Sequence, residues 1–225
     1  MIASQMAEIA ALVGDPARAN ILSALFDGRA LTATELSYAA SVSPQTTSGH
    51  LSKLTQANLL TVVKQGRHRY YRLATPLVAQ MMETIMSVAS DSPPRYRPRS
   101  PREDALRLAR TCYDHFAGRL GVAIADSLCA RGHVVLGDDG GQVTASGLEF
   151  LEQLGADVSK PSRRPFCRHC LDWTERRPHL SGLVGASIAV RCFDLGWVAR
   201  GRTPRALTIT PKGQEGFRRS FDFTV

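Results

Sequence analysis

Cysteine and histidine residues are concentrated at two places in the second half of the sequence. Cys112 and His115 form a Cys-x-x-His pair, and the run Cys-Arg-His-Cys ends at Cys170, shortly before His179. Two thiolates spaced as Cys-x-x-Cys can share one soft metal ion, and further cysteine or histidine ligands complete a set of four. The candidate metal ligands are Cys112, His115, Cys167, Cys170 and His179.

Other ligands suit the same residues. Zinc and arsenite are the candidate ions, whereas His115 and His179 as a pair could bind haem iron or frame an anionic ligand. Trp173 with Arg176 and Arg177 could hold an organic anion. The cysteines could also be ordinary buried thiols with a purely structural role.

A polar helix and a basic hairpin in the first half suit contact with DNA. The predicted helix from Ser43 to Asn58 presents short hydrogen-bonding groups and a lysine that can reach base edges and phosphates in a major groove. The basic stretch 64–68 joins two strand-like segments, so its cations can meet phosphates. The candidate DNA-binding residues are Gln45, Thr46, Thr47, Ser48, His50, Lys53, Lys64, Arg67 and Arg69.

Local signals predict the elements that position these groups. Asp15-Pro16 and Ser43-Pro44 each place an N-cap residue before a proline, which is typical of a helix start. The pair Thr32 and Glu35 forms a capping box that opens a short helix through Leu36 to Ala39. The remaining predicted elements are two strands and an apolar helix, at 59–63, 69–73 and 77–89. This order of helix, turn, helix and basic hairpin predicts a winged helix-turn-helix.

Residues 5–90 resemble the arsenic-repressor (ArsR) family of bacterial transcription regulators in the order, spacing and type of their residues. The resemblance is carried by LVGDPARANILSALFDG and by ELSYAASVSPQTTSGHLSKLTQANLLTVVKQGRHRYYRL. It implies a homodimeric repressor that binds a palindromic operator and releases it when an effector binds. It places Gln45, Thr46, Thr47, Ser48 and His50 on the recognition helix, and Arg67 and Arg69 on the wing.

The resemblance also predicts a dimer face, which could equally be core within the domain. Its residues are Met6, Ile9, Leu12, Leu77, Met81, Met82 and Ile85. Metal-sensing members of the family carry a Cys-x-Cys motif before the recognition helix, or Asp and His pairs on the last helix. Here these segments read ELSYAAS and PLVAQMMETIMSVA and contain neither motif. An effector is therefore expected to bind in the second half.

The predicted fold class is mainly α with small β hairpins (α+β). A winged helix-turn-helix domain at 1–90 is followed by a Pro/Arg-rich linker at 91–103 and an effector-sensing domain at 104–225. HFAGRLGVAIA from His115 and HLSGLVGASIA from His179 are similar at an offset of about 64 residues. They predict a pseudo-duplicated domain in which each copy begins with an apolar helix, although two generic patterns could also look alike.

Composition narrows the class of protein. A net charge of +8 and a pI near 9.7 favour a polyanionic partner. No apolar run approaches the roughly 20 residues of a membrane span, and no secretory signal is recognised. A cytoplasmic protein without a disulfide framework is expected, with Cys129 and Cys192 in the core.

The expected partners are an operator DNA, a second copy of the chain and a small effector. No P-loop, G-x-S-x-G or H-E-x-x-H motif is found in the sequence, so an enzyme is not expected. Two alternatives stay open. One is a metal- or redox-handling enzyme fused to a DNA-binding domain, with CRHC as its thiol pair, and the other is a DNA-binding protein without an effector.

Overall fold

The computed structural model describes residues 2–26, 28–66, 68–90, 100–137, 140–159 and 164–224. The chain divides into two compact units, Met1–Met81 and Met82–Val225. Among the described residues, no helix combines the length and the hydropathy that a membrane span needs.

The first unit consists of helices and one small antiparallel sheet. Its elements are α1 (Ile2–Val13), α2 (Pro16–Ala24), β1 (Leu31–Thr32), α3 (Ala33–Ala40), α4 (Pro44–Gln56), β2 (Leu60–Gln65), β3 (His68–Leu73) and the first part of α5 (Pro76–Ser90). The strand order is β1-β3-β2, and the β2–β3 hairpin is in register from Leu60 opposite Leu73 to Gln65 opposite His68. The two-residue strand β1 was not predicted, because it is too short to show an alternating pattern.

The predicted helix starts of the first unit are confirmed. The Asp15 side chain accepts a hydrogen bond from the Arg18 amide at 2.9 Å, and the Ser43 hydroxyl accepts one from the Thr46 amide at 3.1 Å. Thr32 and Glu35 form both bonds of the capping box that begins α3. The helices bury a common core that is at most 1% exposed, formed by Ile21, Leu22, Leu25, Phe26, Leu36, Leu51 and Leu54.

The second unit repeats one order of elements. After α6 (Pro101–Leu108) come β4 (Arg110–Cys112), β5 (His115–Ala117), α7 (Gly118–Ala130), β6 (Val134–Gly137), β7 (Gly140–Val143) and α8 (Ala145–Leu154). The same order of hairpin, helix, hairpin, helix follows in β8 (Arg168–Leu171), β9 (Pro178–Ser181), α9 (Gly182–Asp194), β10 (Val198–Arg200), β11 (Leu207–Ile209) and α10 (Pro211–Phe221). Each hairpin is an antiparallel pair of strands. The protein is therefore a mixed α and β structure, as expected.

Two predictions about this half are wrong. His115 and His179 do not begin helices but lie in strands β5 and β9, and the helices begin at Gly118 and Gly182. Both glycines have positive φ, 74° and 76°, and a Cβ there would come within 2.6 Å of a backbone oxygen. The chain can turn from strand to helix at these points because glycine has no side chain.

The predicted linker also ends earlier than expected. Residues 91–99 lie outside the described residues, but α6 begins at Pro101 rather than after residue 103. Ser100 and Glu103 form a capping box there, and the missing amide of Pro101 costs nothing at the first helical position. In this Pro/Arg-rich segment, Pro101 therefore begins a helix instead of excluding one.

Candidate metal centre and nucleic-acid interface

Helix α4 presents a polar, solvent-accessible face. Gln45, Thr46, Ser48 and Lys53 are exposed, as predicted for residues that would contact a groove of DNA. His50 is only half-buried, and its Nδ1 atom lies 3.4 Å from the Arg18 guanidinium. The exposed set combines short hydrogen-bonding groups with a cation.

The prediction that Thr47 lies on this outer face is wrong. Its side chain is fully buried, and its hydroxyl donates a 2.9 Å hydrogen bond to the Ser43 carbonyl oxygen. Thr47 is four residues before Leu51 and seven before Leu54, so all three share the inner face of the helix. Thr47 therefore stabilises the domain and does not face a ligand.

The β2–β3 hairpin carries the basic groups of the predicted wing. Lys64 and Arg69 stand directly opposite each other near its tip, and both are exposed. Gly66 makes the turn with a φ of 59°. Arg67 lies outside the described residues. Two directly opposed cations on an exposed hairpin repel each other. An anionic partner would relieve this repulsion, so the hairpin suits contact with phosphates.

Four of the five predicted metal ligands lie together in the second unit. In the β4–β5 hairpin Cys112 is the direct partner of His115, and in the β8–β9 hairpin Cys170 is the direct partner of His179. Directly opposed residues of an antiparallel pair share one face, so each hairpin presents one thiol and one imidazole together. The four residues are buried, and their ligand atoms lie within 4.8 Å of one another.

Glycines in the adjoining helices let the two hairpins approach. A Cβ added at Gly121 in α7 would lie 3.5 Å from the Cβ of His179, and one at Gly185 in α9 would lie 3.2 Å from the Cβ of His115. Each helix is therefore packed against the histidine of the other hairpin. The two imidazole rings stack, with centroids 5.1 Å apart and planes 29° apart.

The imidazole nitrogens have unused bonding capacity. His115 Nε2 and both ring nitrogens of His179 are buried and make no hydrogen bond to any described residue. Buried polar atoms without partners are costly, so their presence favours a missing ligand. Asp114 Oδ1 lies 3.3 Å from His115 Nδ1, and Asp172 Oδ2 lies 3.8 Å from His179 Nδ1. The Asp114 carboxylate is thus placed to orient His115, as carboxylates do for histidine ligands in metal sites, whereas Asp172 lies too far from His179 for a hydrogen bond.

Glu83, on α5, is the acidic neighbour of both thiols. Its two carboxylate oxygens accept hydrogen bonds from Cys112 Sγ at 2.9 Å and Cys170 Sγ at 3.1 Å. Burial raises the pKa of Glu83 to about 8, and the adjacent Cys112 adds to this effect. Glu83 was not predicted as a site residue. As the only charged residue of the otherwise uncharged α5, it could have been recognised in the sequence as a candidate.

The two thiols of the cluster have different acidities. Burial alone would raise the pKa of the Cys112 thiol, but the neighbouring Cys170 and the two imidazoles favour its thiolate and hold the pKa well below its usual value. The pKa of the Cys170 thiol is raised instead, by the adjacent Cys112, by burial and by Glu83. The two thiols therefore differ in how readily they lose a proton, and loss of the proton gives the thiolate that binds metals.

A buried ion pair supports the second hairpin. Arg110 and Asp172 are both fully buried, with 2.8 Å between Arg110 Nη2 and Asp172 Oδ2. Asp172 also accepts hydrogen bonds from the amides of Gly118 at 2.6 Å, Thr174 at 2.8 Å and Glu175 at 2.9 Å. Arg110 was missed by the sequence analysis, since its partner is 62 residues away.

Cys167 is not part of the cluster, so the predicted thiolate clamp of Cys167 and Cys170 is wrong. The Cys167 sulfur packs against Gly141, and burial raises the pKa of this thiol to about 11. Cys167 lies in a bend just before β8, whereas Cys170 lies within this strand. Cys192 is buried in the core as predicted, whereas Cys129 is exposed, contrary to prediction.

The arginines of the alternative anion site have partners within the chain, whereas the buried Trp173 Nε1 makes no hydrogen bond to any described residue. The Arg110 guanidinium lies over the Trp173 ring at 4.6 Å, and Arg177 forms a 2.7 Å ion pair with Asp126. Arg176 also has an interaction partner within the chain. The contacts of these residues stabilise the second unit, and the geometry favours the Cys/His cluster as the ligand site.

The order of elements in the first unit, with a polar α4 and a basic β2–β3 hairpin, defines a winged helix-turn-helix DNA-binding domain. A family model described as a helix-turn-helix domain matches residues 13–63. The chain is 40% identical over 222 residues, 98% of each chain, to YdfF of Bacillus subtilis (strain 168), an uncharacterized HTH-type transcriptional regulator. The chain belongs to this family of HTH-type transcriptional regulators.

Solved structures show further similarities. The homodimeric winged helix-turn-helix domain of a possible ArsR-family regulator from Mycobacterium bovis is 21% identical, with a TM-score of 0.38 over 44% of this chain and 91% of that chain. NolR from Sinorhizobium fredii is 23% identical, with a TM-score of 0.36 over 38% and 85%. The antimony-specific transcriptional repressor AntR is 24% identical, with a TM-score of 0.37 over 40% and 81%.

Proposed function

We propose that this transcription regulator is a homodimeric repressor whose operator is released when an effector binds to the second unit. In this proposal Gln45, Thr46, Ser48 and Lys53 of α4 contact one DNA half-site. His50 lies at the edge of this surface. Lys64 and Arg69, with Arg67, contact phosphates from the wing. The exposure of the described members of this set supports the assignment.

Dimerisation is supported by apolar side chains on the first and last helices of the winged domain. Ile2 and Met6 of α1 are 82% and 68% exposed, and Leu77 and Ile85 of α5 are 71% and 42% exposed. Large apolar groups at such density on two helices favour a protein partner. A second copy is the partner that a two-half-site operator requires. Met82, by contrast, is buried, so it belongs to the core and not to this surface.

The domain organisation follows the same proposal. Residues 1–90 bind DNA and dimerise, residues 91–99 connect, and residues 104–225 sense the effector. We infer that this sensing domain arose by internal duplication. Support comes from the doubled order of hairpins and helices, and from Gly121 and Gly185, each of which packs against the histidine of the opposite hairpin. A site formed by equivalent residues of two copies is a natural place for a single ligand.

The observation that carries the proposal is the buried cluster of Cys112, His115, Cys170 and His179, whose ligand atoms lie within 4.8 Å. Buried thiols and imidazoles that lie this close together are typical ligands of a metal or metalloid ion. Contact with DNA does not account for a buried cluster of this kind. The proposed effector is therefore a metal or metalloid ion bound by this cluster.

The test measures operator affinity by fluorescence anisotropy, with operators selected from genomic DNA by the purified full chain. Effector ions should weaken operator binding by the parent protein by about 5- to 150-fold, the usual range for coupled sites. A Cys112→Ser, Cys170→Ser variant should bind the operator but lose this response, whereas Cys129→Ser, outside the cluster, should keep it. Equal responses of the double variant and the parent would refute the proposal. The same titrations give the number of chains per operator, which should be two.

A further inference from the structure

The chemistry of the Cys/His cluster allows the ion to be identified by class, and this inference rests on the proposed function. We propose that Cys112, His115, Cys170 and His179 bind one divalent ion of the zinc type as four tetrahedral ligands, and that binding removes the two hydrogen bonds that the thiols donate to Glu83.

The ligand set matches a tetrahedral site. Zn–S and Zn–N bonds of about 2.3 and 2.0–2.1 Å place tetrahedral ligand atoms roughly 3.3–3.8 Å apart. The four atoms of the cluster already lie within 4.8 Å, so shifts of about 1 Å or less would close the site. Two thiolates and two neutral imidazoles balance the charge of a divalent ion, and they leave no open position for a reaction. Such closed Cys2His2 sets hold zinc in structural and regulatory sites.

The geometry disfavours the two other candidate ligands. Arsenite is held most firmly by three thiolates, but the cluster offers two, and Cys167 packs elsewhere, against Gly141. Haem bound by two histidines requires the imidazoles on opposite faces of the macrocycle. Here the rings of His115 and His179 stack directly on each other at 5.1 Å, which leaves no space for a macrocycle between them.

Glu83 occupies the second coordination sphere in a way that binding must change. Its carboxylate is held by hydrogen bonds from the two thiols, at 2.9 and 3.1 Å. When both sulfurs bind the ion as thiolates, their protons pass to water and the carboxylate no longer has these two donors. Because the four ligands complete the tetrahedron, Glu83 does not join them as a ligand.

The loss of these two hydrogen bonds links the site to the rest of the regulator. Glu83 lies on α5, the helix that follows the wing in the chain. Loss of the two hydrogen bonds between Glu83 and the thiols therefore removes contacts that fix the position of α5. This loss occurs only when the ion binds. A switch of this kind requires only that the two states differ in their interactions with the ligand.

The experiment titrates Co²⁺, a coloured substitute for Zn²⁺, into the reduced, metal-free full chain without DNA. One Co²⁺ per chain should bind, with intense visible bands of a tetrahedral ion and near-ultraviolet thiolate-to-metal bands. One equivalent of Zn²⁺ should abolish these bands, because zinc binds such sites more tightly than cobalt.

Variants assign the ligands. Cys112→Ser, Cys170→Ser should lose the thiolate bands and weaken binding by more than the about 10- to 100-fold typical of outer-shell changes. Cys167→Ser is the matched control, since it alters the same Cys-Arg-His-Cys run and should keep both spectrum and affinity. Glu83→Ala and the more conservative Glu83→Gln should keep the tetrahedral spectrum with undiminished affinity. Folding of each variant is checked by circular dichroism.

Three results would overturn the inference. These are absence of tetrahedral bands in the parent, retention of them in the double cysteine variant, and a weakened or shifted spectrum in both Glu83 variants, which would make Glu83 a ligand. Because the titration contains no DNA, such a failure is separate from failure of the proposed function. If Co²⁺ binds but operator affinity is unchanged, the metal site is supported and its proposed role in regulation is wrong.

Discussion

Replacing Asp172 by alanine should destabilise the second unit far more than the removal of an ordinary surface carboxylate. Asp172 and Arg110 are both fully buried, and the carboxylate accepts hydrogen bonds from the arginine and from three backbone amides. After the substitution, Arg110 keeps bonds to the Leu106 carbonyl at 3.0 Å and to the Thr174 hydroxyl at 3.2 Å, but no described acid faces it. A buried charge without its counter-ion is the main cost.

The expected decrease in stability is about 3–5 kcal/mol, the usual result when one partner of a buried ion pair is removed. With a urea dependence of about 2 kcal/mol per molar, this lowers the midpoint of unfolding by roughly 1.5–2.5 M. Asp126→Ala is the matched control, because Asp126 and Arg177 form an equally short pair at 2.7 Å with side chains 45% and 57% exposed. Its expected cost is about 0–1 kcal/mol.

Tryptophan fluorescence is a suitable assay, since both tryptophans of the chain, Trp173 and Trp197, lie in the second unit. Urea titrations are made with a chelator present, so that metal binding does not contribute. The double variant Arg110→Met, Asp172→Leu removes both charges and should recover part of the stability. If Asp172→Ala shifts the midpoint no more than Asp126→Ala does, the account of a stabilising buried pair is wrong.

Three further predictions concern the first unit. Thr46→Ala with Ser48→Ala should weaken specific operator binding by about 1–3 kcal/mol for each hydrogen bond to a base that the substitution removes. Thr47→Ala should cost about 1 kcal/mol of folding stability and leave base preference unchanged, because its hydroxyl bonds the backbone. Competition with altered operators separates the two, and a change of base preference in Thr47→Ala would contradict the inward placement. The Thr32 amide holds the pKa of Glu35 below its usual value, so the capping box stabilises the fold above the pKa of an unfolded glutamate, near 4.3, and less as pH falls. Thr32→Ala should cost about 1 kcal/mol and raise the pKa of Glu35 measured by NMR, and an unchanged pKa would argue against the box.

The winged domain could be predicted closely because its signals are local. The N-caps at Asp15, Thr32 and Ser43 act on amides three residues ahead, so the chain carries each signal next to its effect. The prediction failed at Thr47 because a run of polar residues hides which face of the helix is buried. The helical spacing of Thr47 from Leu51 and Leu54 identifies the buried face of the helix, and it places Thr47 on that face.

The Cys/His cluster was predictable in its residue types but not in its membership. Sequence spacing suggested Cys167 as a partner of Cys170, whereas the structure pairs Cys170 with His179 across a hairpin. Glu83 reaches these thiols from 29 and 87 residues away in sequence. No local signal specifies contacts over such separations.

The sequence by itself determined the winged helix-turn-helix, since caps, turns and periodicity act within a few residues and so leave their pattern in the chain. It also supplied the thiols and imidazoles of the second half. Only the tertiary structure decided which of them meet, because Gly121 and Gly185 allow two hairpins to approach and bury four ligand atoms together. Packing between distant segments fixes that geometry, and packing depends on the shape of the whole unit rather than on any one stretch of sequence.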